Sequence, residues 1–94
     1  MTPPTYDFNN LRALLDKAGI SIAEASVIFK TSRPTLYSWC SGNAPTQGLL
    51  LSNAERLIKV IERAVAAEDL PVVDLEKEKR LPAITAELRK HLNS

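Results

Sequence analysis

Few side chains in this sequence can carry covalent chemistry. One cysteine, Cys40, and one histidine, His91, stand far apart along the chain, and no glycine-rich stretch is present to cradle a phosphate. No nucleophile–base pair and no pair of acids stands in a spacing suited to acid–base work, so catalysis is not expected. His91 lacks a second ligand candidate, so neither a metal nor another cofactor is expected. What the chain does gather is an outward-facing set around one helix start, led by Arg33 and including Lys30, Ser32, Pro34, Tyr37, Ser38 and Ser41. A guanidinium can bond O6 and N7 of guanine together, and a tyrosine can bond a phosphate or pack on a thymine methyl.

Two short helices must position that set. Ser21 stands three residues before Glu24, an S-x-x-E capping box that predicts a helix from Ile22. Ser32 is the expected cap of a second helix, with Pro34 in its first turn, where a missing amide proton costs no intrahelical bond. Only Lys30 and Thr31 lie between the two. Ala25, Phe29, Leu36 and Trp39 point inward at helical spacing, which makes Trp39 a core residue in preference to a stacking platform.

This stretch, Ser21 to Gly42, resembles the helix-turn-helix of the Cro and lambda-repressor-like family of DNA-binding proteins. The family's core positions fall on Ala25, Ser26, Phe29, Thr31, Leu36 and Trp39, and Trp39, Gly42 and Pro45 match a frequent W-x-x-G ending with a nearby proline. The resemblance spans roughly residues 8 to 65. It departs from the pattern at Ser26, at Ile22 where the family has a phosphate-contacting glutamine, and at Lys30 where the family has a turn glycine. Lys30 must therefore adopt a left-handed conformation or the turn must take another shape.

The resemblance implies an all-α fold, a lambda-repressor-like bundle of four to five helices with a C-terminal helical extension. It also implies that the second helix of the pair enters the major groove of double-stranded DNA, and that Asn43, Thr46 and Gln47, after Gly42, approach the phosphates. Alternatively, Asn43 makes a turn and Thr46 caps the next helix. One such helix reads only a few base pairs, so a homodimer on a palindromic site is expected.

The flanks read as scaffold. Residues 1–6 form an arm, Asp7 caps a first helix with Tyr6 stapled on Leu11, and Phe8, Leu11, Leu14, Leu15 and Ala18 follow helical spacing to a stop at Gly19. A long helix is expected from Thr46 to Glu68, with Ser52 and Glu55 offering a second capping box at which it can break. Its apolar band is wider than a three-helix unit needs, so Leu57, Ile58, Ile61 and Val65 are expected to pair two copies, together with Ile84, Leu88 and Leu92 of a last helix starting at Pro82, which docks on its own domain or on a partner subunit. Pro71 stops the long helix, Val72 and Val73 suggest a short extended piece, and the run from Glu76 to Arg80 is strongly charged. The expected division is a domain over 1–69 and an extension over 70–94.

Bulk properties fit this picture. The chain has 94 residues, 45% of them hydrophobic, and a net charge of +1. A single cysteine, no run of 18 apolar residues and no leader pattern point to a cytoplasmic protein without membrane contact. Four Lys/Arg face three Asp/Glu in residues 1–48, and eight face eight in the rest, so no half is basic. A transcriptional regulator, most simply a bacterial or phage repressor, is the leading expectation. The alternative is a protein-interaction module, or an antitoxin-like protein that binds a protein partner.

Overall fold

In the computed structural model, which describes residues 7–46 and 48–92, the first half of the chain follows its local cap and stop signals. The Asp7 side chain accepts a hydrogen bond from the Asn9 amide at 3.0 Å, which starts a short 3-10 helix, Phe8–Asn10. That turn runs into α1 (Leu11–Ala18), which Gly19 ends with φ 67°. The capping box forms as its spacing requires: the Glu24 amide donates to Ser21 Oγ at 3.1 Å and the Ser21 amide donates to Glu24 Oε1 at 3.0 Å, opening α2 (Ile22–Ile28). Lys30 takes φ 54°, so the turn is left-handed at a lysine. Then α3 (Arg33–Cys40) follows, with Ser32 as its cap. The arm, the Tyr6 staple and Gln47 lie outside the described residues.

The long helix α4 (Gly48–Ala66) passes through Ser52 without a break. Continuing helix there keeps Leu51 and Ala54 packed on the core, which a cap at Ser52 would interrupt. It ends with Glu68 in the left-handed region at φ 62°, and the Asp69 amide donates to the Ala64 carbonyl at 2.9 Å. Residues 72 and 73 form no strand; Val72 packs on the core while Val73 is exposed. The last helix, α5 (Lys77–Leu92), starts five residues before Pro82 and carries that proline inside it. The charged run from Glu76 to Arg80 therefore lies mostly within the helix. Pro82 forgoes the bond to the Glu78 carbonyl, and Arg80, described below, anchors the turn that precedes it.

All described regular structure is helical. Leu11 and Leu15 of α1, Leu36 of α3, Ile58 and Ile61 of α4 and Ile84 of α5 are fully buried in one core. Trp39 sits between two aromatic edges, with ring centroids 6.3 Å from Phe8 and 6.0 Å from Phe29, both T-shaped. Such edge contacts add about 0.5–1.5 kcal/mol each beyond area burial. No described helix is long and apolar enough to cross a membrane.

Of the two places expected for the last helix, α5 docks on its own domain. The band is wide because α4 packs on α1 with one side and receives α5 of the same chain on another. Ile58, Ile61, Ile84 and Leu88 are buried by that packing, and Leu57, Val65 and Leu92 are half-buried against the same core. Four of these seven residues are thus buried within one chain, and the other three keep part of their surface accessible.

Gly19 offers a check on the junction. A Cβ there would stand 2.5 Å from Cβ of Pro71, at a φ that L side chains rarely adopt. Gly19→Ala should cost at least about 1–2 kcal/mol, read as a lower urea midpoint with an unchanged slope.

Candidate nucleic-acid interface

The first two turns of α3 form an exposed surface because Ser32 holds them from below the helix start. Its Oγ accepts from the Thr35 amide at 3.2 Å and donates to Thr35 Oγ1 at 2.8 Å. Ser32, Arg33, Pro34 and Thr35 are all exposed, as is Tyr37 one turn on, which keeps 52% of its surface accessible. Ser38 is half-buried. Ser41 is exposed, but its hydroxyl donates to the Tyr37 carbonyl at 3.1 Å, so its proton is already used within the helix. Asn43 and Thr46 are exposed in the following loop, where the Asn43 amide donates to the Ser38 carbonyl at 3.0 Å. The alternative of Asn43 as a turn residue and its role as a donor are thus compatible. Thr46 lies two residues before the first residue of α4.

Lys30 and Arg33 face different spaces. Arg33 lines a groove of about 750 Å³ between α2 and the start of α5, with Val27, Lys77, Glu78, Arg80 and Leu81 around it. Lys30 lines a smaller cleft beside α4. The expected set therefore divides: Ser32, Arg33, Pro34 and Tyr37 share the exposed start of α3, and Lys30 lies apart from Arg33.

Three residues of this region escape a reading by motif. Thr35 joins Ser32 in a hydroxyl pair whose S-x-x-T spacing is visible in the chain. Val27 leaves 58% of its surface exposed on α2, although an apolar residue at helical spacing ordinarily signals core. Arg80 had only its place in a charged run to mark it. Its Nε stands 3.2 Å from Glu24 Oε2, its Nη2 stands 3.4 Å from Glu24 Oε1, and the same nitrogen donates to the Gly19 carbonyl. One guanidinium thus joins the end of α1, the cap of α2 and the first turns of α5.

The electrostatics follow from that clamp. Partial burial pushes the Glu24 carboxyl up, but the bond from the Ser21 amide and the bond and charge of Arg80 outweigh it, leaving its pKa below the ordinary 4.5. The carboxylate stays ionised beside Arg33's groove. Burial pushes the half-buried Cys40 thiol up; the Arg12 charge lowers it by less, and Asp16 raises it further. Cys40 is accordingly a protonated thiol at neutral pH. His91 is tied to Asp69, with Nε2 2.8 Å from Oδ2. Among the described residues no cluster of three or more His, Cys, Asp or Glu could hold a metal ion.

A carboxyl with a lowered native pKa contributes stability that is present above its unfolded value and lost as pH falls through the native value. Arg80→Met should cost on the order of 1–3 kcal/mol at neutral pH. The gap in stability between wild type and Glu24→Gln should hold at neutral pH and close as pH drops below about 4.5. Chemical denaturation across pH reads both; a gap independent of pH would remove the clamp from the account.

The exposed start of α3 thus presents a guanidinium, a phenol and two hydroxyls from a helix end that is capped and rigidly backed. Comparison with protein-family models, with curated proteins and with solved structures finds no match to this chain.

Proposed function

We propose that this chain is a sequence-specific DNA-binding transcriptional regulator with a lambda-repressor-like helix-turn-helix fold, acting in the cytoplasm as a small repressor. In this reading α3 lies in the major groove, Arg33 bonds a guanine edge, and Tyr37 meets a thymine methyl or a phosphate. Ser32, Ser38 and the loop donors Asn43 and Thr46 set the register on the backbone. The observation that carries the reading is the exposed, Ser32-capped start of α3 with Arg33 and Tyr37 on it, backed by the buried Trp39. The left-handed Lys30 adds support, because it allows the short turn although no glycine stands there.

Pairing on a palindrome, with half-sites about 34 Å apart, remains part of the proposal. Because the apolar band of α4 is covered by α5, two copies would meet through other surfaces or be brought together by the duplex. A net charge of +1 implies few phosphate neutralisations and a shallow salt dependence. The same charge favours the second reading, a module that binds a protein through the groove beside Arg33.

Selection from a random duplex library separates the two. The proposal expects enrichment of an inverted repeat. Arg33→Ala should then cost about 1–3 kcal/mol on the selected site and little on random DNA, measured by fluorescence anisotropy. No enrichment at moderate salt rejects the DNA reading, and equal losses on both duplexes make Arg33 a phosphate contact.

A further inference from the structure

A cleft of about 380 Å³ lies between the α2–α3 turn, the first half of α4 and the end of α5. Its size falls within the roughly 300–1,000 Å³ typical of small-molecule sites. Phe29 and Trp39 line it from the core, and Ile28, Leu50, Leu57 and Leu92 line it from the three surrounding elements. Leu50 keeps 38% of its surface exposed there, so apolar area at this place is left in water. Both ionisable groups on the lining are cations, Lys30 from the turn and Arg56 from α4, and Asn53 adds an amide. Glu55, the neighbouring acid on α4, lines an adjoining cleft instead, where Lys59 and Arg63 extend the cationic side.

Among the described residues, an apolar lining with two cations and no acid selects for a ligand of matching form. A purely apolar molecule would gain nothing from Lys30 and Arg56, while a bare inorganic anion would leave the accessible surface of Leu50 and Leu57 in water. From this we infer that the cleft binds a small amphiphilic carboxylate, its aliphatic or aromatic tail on Trp39, Leu50 and Leu57 and its carboxylate between Lys30 and Arg56. The site does not depend on the DNA reading, since none of its lining residues belongs to the exposed start of α3.

Trp39 is the only tryptophan in the chain, so its emission reports on the cleft directly. Titration of the full chain with decanoate, below micelle formation, should change that emission saturably. Decanol should bind about tenfold more weakly, and so should decanoate to the Lys30→Gln, Arg56→Gln double variant. Both substituted residues are exposed, and circular dichroism confirms the fold of the variant. No saturable response to decanoate, or equal responses to decanol and from the variant, overturns the inference. Binding of an acidic amphipathic peptide that decanoate cannot displace overturns it too, in favour of a protein partner.

Discussion

Helices of seven and eight residues do not persist alone in water, so the relation between α2 and α3 depends on what pins them together. That pin is Trp39. Its ring stands edge-on to Phe29 at the end of α2 and to Phe8 in the leading 3-10 turn, and with Leu36 it buries the inner side of α3. Once that side is fixed, the helix period decides which residues face water. Arg33 and Tyr37, four apart, then lie one turn above another on the outside. The chemistry offered by α3 is thus a consequence of aromatic packing on its other face.

A second constraint is electrostatic and acts between distant parts of the chain. The carbonyl of Gly19 and the carboxylate of Glu24 meet at the gap between α1 and α2, where partial negative charge accumulates. Arg80 meets both, which neutralises the gap and sets the start of α5 on it. At the other end of α5, His91 Nε2 stands 2.8 Å from Asp69 Oδ2. Between these two polar ties Ile84 and Leu88 complete the core, so α5 is held by polar contacts at its ends and by apolar burial in its middle.

What could be read from the chain was local. The Ser21–Glu24 box, the Ser32 cap, the Gly19 stop and the inward set around Trp39 involve partners at most four residues apart or a helical period, and each formed as its chemistry requires. The left-handed Lys30 was foreseen as one of two options. What could not be read was pairing across the chain. Arg80 and Glu24 are 56 residues apart, and nothing in a charged run tells which of its cations has a distant partner. The same gap explains the apolar band of α4: periodicity gives its width but not whether the covering surface is α5 of the same chain or another molecule. Pro82 lies inside α5 for a related reason, since a proline marks a helix start only when no tertiary tie favours an earlier one.

The late position of α5 bears on synthesis. Because α5 is the last of these helices to leave the ribosome, α1 to α4 emerge before it, with Ile58 and Ile61 not yet covered by Ile84 and Leu88 and with Glu24 awaiting its guanidinium. The nascent chain therefore passes through an interval in which its α3 surface is already built but its apolar flank is open to chaperones or to other nascent copies.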